Sequence, residues 1–157
     1  MIVDLREVER FLYREARLMD ENAYDDWLAL WTEELTYWVP CEEDDLQPEN
    51  HISFIYDDRA RLRARIARLK SGNAHAQDPK SRLCRVVSNI EVGELSPDDL
   101  EIRSKFVLGE VRRGKQDVFM GRTIHKLRRH PDGLRMSFKK VMLVNSDEFI
   151  DNLTFLL

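Results

Sequence analysis

Apolar residues recur along this chain at two different periods, and the change from one to the other divides it. Near the N-terminus Leu5, Val8, Leu12, Ala16 and Met19 fall at helical spacing, with Phe11 and Leu18 widening the stripe. This predicts a helix over 5–19, with Asp4, three residues before Glu7, placed as a capping pair. Asp20, Glu21 and Asn22 break the pattern. Tyr24, Trp27, Leu28 and Trp31 predict a second, shorter amphipathic helix, and residues 36–39 a strand that Pro40 confines to an edge or an end. Residues 41–51 are acidic, contain a proline and read as a loop. A third helix is expected over about 57–70, with Asp57 or Asp58 as cap and Gly72 as stop. Leu62, Ile66 and Leu69 form one narrow stripe on it and Ala60, Ala64 and Ala67 another, with Arg and Lys between, which predicts contact on two sides.

From Ser81 onward the period becomes that of strands. Residues 83–95, 100–113, 118–130 and 134–145 are four long strand-type segments separated by turn chemistry around Pro97, Gly114 and Gly133. Short turns between long strands predict an antiparallel meander. Ile102, Phe106 and Leu108 alternate with Arg103, Lys105 and Val107, so one face is free for helices to cover. In the last segment Leu134, Met136, Phe138, Met142 and Val144 are expected on one face, with Arg135, Ser137 and Lys139 on the other. Helices first and then a long sheet give an α+β layout, a strongly curved antiparallel sheet wrapped around N-terminal helices. Such a sheet encloses a conical cavity. The tryptophans Trp27, Trp31 and Trp38 all lie in the first third, with Tyr24 and Tyr37, so that third is expected to wall the cavity or core.

Composition narrows the classes. The 157 residues suit one domain, 1–157, and 43% hydrophobic with 34% charged residues excludes a disordered chain. A net charge of −4 gives no general drive toward nucleic acid or anionic lipid. Two cysteines, Cys41 and Cys84, are too few for a disulfide framework, and no apolar run approaches the ~18 residues of a membrane span. With no basic-then-apolar leader, the expectation is a cytoplasmic protein.

Candidate chemistry is sparse. His51, His75, His125 and His130 have no partner histidine or cysteine at metal-site spacing, so no metal site is expected in this chain. No nucleophile elbow or phosphate loop occurs, and Cys84, in a strand-like run, reads as a buried small hydrophobe. His125 lies mid-strand and is read as an exposed or interface histidine. The competing reading points it into the cone, where Asp26 and Tyr37 approach from the helical side as an acid–base set. The arginines of the third helix are spread around it without interleaved aromatics, which argues against nucleic acid.

Taken in order, several segments resemble the small (beta) subunit of bacterial aromatic-ring-hydroxylating dioxygenases, the Rieske non-haem iron oxygenases. They are Glu15 to Asp20, Trp27-Leu28, Tyr37 to Pro40, Tyr56 to Asp58 with the Arg/Leu helix, Asp78 to Asn89, Arg103 to Phe106, Gly121-Arg122 and the Phe155-Leu156-Leu157 ending. The resemblance implies a cone fold of the kind shared with nuclear transport factor 2, scytalone dehydratase and ketosteroid isomerase. It also implies a structural, non-catalytic subunit, three of which join three large (alpha) subunits. The Rieske [2Fe-2S] cluster, the mononuclear Fe(II) and the aromatic substrate then belong to the large subunit, and this chain carries no cofactor. The alternative is a stand-alone cone-fold dehydratase or isomerase using His125 with Asp26 and Tyr37. A trimer of small subunits is the expected assembly, with Phe155, Leu156 and Leu157 either folded back on their own sheet or buried across a subunit boundary.

Overall fold

The computed structural model describes residues 4–41, 53–71, 80–144 and 155–157. Helix α1, Leu5–Asp20, opens at Asp4, whose carboxylate accepts the Arg6 amide at 3.0 Å. It ends where Asn22 takes a left-handed conformation (φ 56°) and the Ala23 amide reaches back to the Leu18 carbonyl at 2.9 Å. Its buried face is Val8, Phe11, Leu12, Ala16, Leu18 and Met19, with one charged member, Glu15.

Helix α2 is only Tyr24–Leu28, and strand β1 runs Trp31–Pro40. Trp31 was expected in the helix, but its neighbour Leu30 accepts a hydrogen bond from Met136 at 2.8 Å, so sheet pairing captures the chain there. Strand β2, Ser53–Asp57, was absent from the sequence reading, which passed from the acidic loop directly to a helix. Helix α3, Arg59–Lys70, starts one residue past its cap Asp58, whose side chain accepts the Arg61 amide at 2.9 Å. It buries Leu62, Ile66 and Leu69, whereas Ala60, Ala64 and Ala67 are exposed, so within this chain one side alone is contacted. The stop assigned to Gly72 lies outside the described residues.

Strands β3 (Arg82–Glu94), β4 (Asp99–Arg112), β5 (Lys115–His130) and β6 (Gly133–Leu143) form the meander, each antiparallel to the next. The β4–β5 hairpin turns on Arg113 and Gly114, both at positive φ (52° and 77°), as its two-residue loop requires. The six-stranded sheet has order β2-β1-β6-β5-β4-β3, and β1 lies parallel to β6. Pro40 therefore ends an interior strand rather than marking an edge.

The sheet curls without closing, and α1 lies across its inner face, making its closest approach to the sheet at β3. Close packing across the bend requires Gly121. A Cβ there would lie 2.5 Å from the Met142 carbonyl and 2.9 Å from the Phe106 ring. Cys84 was expected inside but is exposed on the outer face of β3.

A register shift between Lys126 and Leu127, opposite β6, changes the phase of the last strand. Leu134 and Met136 face inward, but beyond the shift Lys139, Val141 and Leu143 do, and Phe138 turns outward beneath the Lys126 ammonium. The simple alternation assigned Lys139 and Phe138 the opposite faces. The bulge explains why that assignment fails.

Candidate functional site

Inside the cone lies a charged cluster. Glu15 comes from the buried face of α1, His125 from β5 and Lys139 from β6, and all three are at most 3% exposed. Inward positions on β5 are Gly121, Thr123, His125 and Leu127, so His125 is buried in the cone. The reading that put it on an exposed or interface face is corrected. That reading failed because Val118, Met120 and Ile124 make the outer face of β5 as apolar as the inner one.

Three donors converge on the Glu15 carboxylate. Lys139 Nζ donates to Oε2 at 2.7 Å, Trp27 Nε1 donates to Oε2 at 2.9 Å, and His125 Nε2 lies 2.7 Å from Oε1. An ionised carboxylate only accepts, so the His125 Nε2 carries its proton toward Glu15. Burial alone would raise the Glu15 pKa, but the Lys139 charge and then His125 outweigh it and hold the carboxyl well below its usual range. For Lys139 burial wins. Its pKa is lowered because Glu15 offsets the desolvation only in part and Arg85 adds a second positive charge nearby. The ammonium also sits 5.9 Å from both the Trp27 and Tyr37 ring centroids and 3.4 Å from Met19 Sδ. Trp27, Trp31 and Tyr37 pack edge to face and tilted around it, with centroids 5.6 to 6.1 Å apart.

The mouth of the cone is filled by the C-terminal residues. Phe155, Leu156 and Leu157 are 5%, 1% and 2% exposed, so they fold back on their own chain. Tyr37 Oη donates to the Leu157 carbonyl at 2.9 Å and accepts the Leu157 amide at 3.0 Å. Burial pushes the Tyr37 hydroxyl well above its usual range. Arg85 bridges the Asp20 carboxylate (2.6 Å) and the Leu156 carbonyl (3.0 Å). What remains open is a cavity of about 20 Å³ lined by Glu15, Ser104, Phe106, Thr123, His125 and Leu157. A volume of that order holds one water. His125 Nδ1 faces no hydrogen-bond partner among the described residues.

Two of the three residues of the alternative acid–base set are thus in the cone, and the third is not. Asp26 is exposed on α2, because Tyr24 and Trp27 occupy the inward positions of that short helix. Tyr37 is inside but is occupied by Leu157. The carboxylate beside His125 is Glu15, which the sequence reading missed although it interrupts the apolar stripe of α1. Lys139 was missed because of the bulge. Among the described residues no three of His, Cys, Asp and Glu are grouped to hold a metal ion, and no helix is long and apolar enough to cross a membrane. His51 and His75 lie outside the described residues. His130 is exposed and paired with Asp132 at 2.7 Å.

Comparison with known proteins adds four findings. A family model described as "Ring hydroxylating beta subunit" matches residues 14–147. The small oxygenase component of the p-cumate 2,3-dioxygenase system of Pseudomonas putida is 37% identical over 139 residues, covering 87% of this chain and 77% of that one. The crystal structure of the beta subunit of benzoate 1,2-dioxygenase from Burkholderia mallei superposes with a TM-score of 0.82 at 27% identity, covering 99% of both chains. At the level of fold alone, an NTF2-like protein with a cystatin-like fold from Novosphingobium aromaticivorans matches with a TM-score of 0.65 at 19% identity over 90% of this chain and 82% of that one.

Proposed function

The chain belongs to the ring-hydroxylating beta-subunit family, and from that membership we propose that it is the structural, non-catalytic small subunit of an oxygenase that adds O2 to aromatic compounds for their catabolism. Its partner is a large subunit that holds the Rieske [2Fe-2S] cluster, the mononuclear iron and the substrate pocket, three of each subunit forming the complex in the cytoplasm. The number three rests on the family. The tail that offered a physical reason for self-association is buried within its own cone.

The observation that supports a non-catalytic role is the filled cone. A space of about 20 Å³ admits no aromatic ring, and Glu15, the carboxylate beside His125 among the described residues, already accepts from three donors. A general base needs a free lone pair within reach of substrate; Glu15 has none to spare, and the free Nδ1 of His125 lies beside a space too small for a substrate. The dehydratase or isomerase alternative places a His–carboxylate pair in the cone. The pair exists there as His125–Glu15, but without room for a substrate beside it.

The assignment of iron is tested by producing the chain alone and together with its large subunit. Metal analysis is expected to find iron in proportion to the large subunit. About one iron per small chain, lost on mutating a histidine, would overturn the reading.

A further inference from the structure

An apolar band crosses the outer face of the sheet and remains exposed. Val86 of β3 pairs with Val107 of β4, Val107 pairs with Met120 of β5, and the Val144 amide bonds the Met120 carbonyl at 2.9 Å. These four side chains form one row and are 64%, 47%, 44% and 50% exposed. Val118, 55% exposed, widens the band by a second row. Their chain neighbours Phe106, Leu108, Phe119 and Gly121 face the core, so the band is an ordered outer face of the sheet. Contiguous exposed apolar surface of this kind marks a binding face.

The rim of the band is basic, although the whole chain carries −4. Lys105 and Arg122 form the next row on one side, with Arg103 beyond, and the exposed Arg82 lies on the other. The carboxylates on this face are Glu91, Asp99 and Glu101, of which Asp99 is paired with Arg128 and Glu101 with Arg103, so Lys105, Arg122 and Arg82 leave the rim net positive. Beside the band a cleft of about 680 Å³ is lined by Arg103, Lys105, Arg122 and Lys140 against one carboxylate, Glu91, and so carries net positive charge suited to carboxylate side chains.

A second copy of this chain does not fit. Face-to-face pairing would set these cations against their own copies, which like-charge repulsion opposes. A head-to-tail contact would need an acid-rimmed apolar patch elsewhere on the same chain. The remaining exposed large hydrophobics among the described residues are Leu5, Tyr13, Tyr56 and Leu95. Leu5 and Tyr13 stand on α1 among Arg6, Arg10, Arg14 and Arg17, and the Tyr56 carbonyl accepts from Arg61 of α3. Those surfaces carry both signs, with Asp4 and Glu9 among the α1 arginines and Asp58 beside Arg61, and lack the acidic rim required; Leu95 stands singly at a hairpin. We infer that the outer face of β3–β6 docks a different protein surface, apolar at its centre and rimmed by Asp and Glu, and that this surface belongs to the large oxygenase subunit. The identity of that partner rests on the function proposed above.

The test compares wild type with Lys105→Glu and Val107→Glu, each co-produced with the tagged large subunit. Each variant's melting temperature and light-scattering mass are also measured without it. Both variants are expected to bind the large subunit at least tenfold more weakly, with self-association and melting unchanged, and wild-type binding should weaken as salt is raised. Variants that bind like wild type would overturn the inference. Variants that lose self-association instead would overturn it as well, by assigning the face to contacts between copies. Failure of the wild-type chain to bind any large subunit would overturn the proposed function itself, a result visible before any variant is made.

Discussion

Glu15 is the residue on which the interior depends. Removing one member of a buried ion pair leaves the other charge without compensation, at a cost of about 3–5 kcal/mol. Glu15→Ala should therefore destabilise the isolated chain by about that amount in urea unfolding, since Lys139 and His125 both lose their acceptor. Replacing the pair together, Glu15→Met with Lys139→Met, should recover most of the loss. A double variant no more stable than Glu15→Ala would contradict the assignment. The depressed Glu15 pKa also sets a pH dependence. Its folded value lies below the unfolded value of about 4.3, so its contribution is complete above about pH 5 and is lost as pH falls toward the folded value. Glu15→Gln should flatten that acid limb. An unchanged acid limb in the variant would show that other carboxylates carry it. Much of this cluster was legible in principle. A glutamate interrupting the apolar stripe of α1 signals a buried carboxylate that needs partners. Lys139 was not legible, because a one-residue bulge exchanges the faces of a strand and no local residue type announces it.

At the scale of elements, the C-terminal residues act as part of the core. Phe155 packs on Phe119 with ring centroids 5.4 Å apart, and Leu157 satisfies the Tyr37 hydroxyl. Burying each such side chain contributes about 1.5–3 kcal/mol. Deleting 155–157 should lower the melting temperature by many degrees and open the cone to an apolar dye. A truncated chain that melts like wild type would contradict this. Gly121→Ala should also destabilise, by about 1–3 kcal/mol, because the backbone carbonyl of Met142 cannot move aside as a flexible side chain would. An unchanged urea midpoint would show that the strands separate easily. Strands β3 to β6 were readable from alternation and turn residues. Strand β2 was not, because five residues between an acidic stretch and a helix cap give too short a pattern. Trp31 was misplaced because a tryptophan four residues after Trp27 fits a helical stripe as well as the start of a strand, and pairing with β6 decides between them.

For the whole molecule, family membership and fold are both settled by comparisons that span nearly the entire chain, and the proposed division of labour with a large subunit follows from that membership. The proposed division of labour gives no step of the chemistry to a cone filled by its own tail and the Glu15–Lys139–His125 cluster. The most direct measurement is the turnover of the assembled oxygenase carrying His125→Gln in the small subunit, normalised to complex that remains intact by light scattering. The account gives a rate within about threefold of wild type, a barrier change under ~1 kcal/mol, with any loss confined to stability. A fall of a hundredfold or more in an intact complex would contradict it and make the cone an active site.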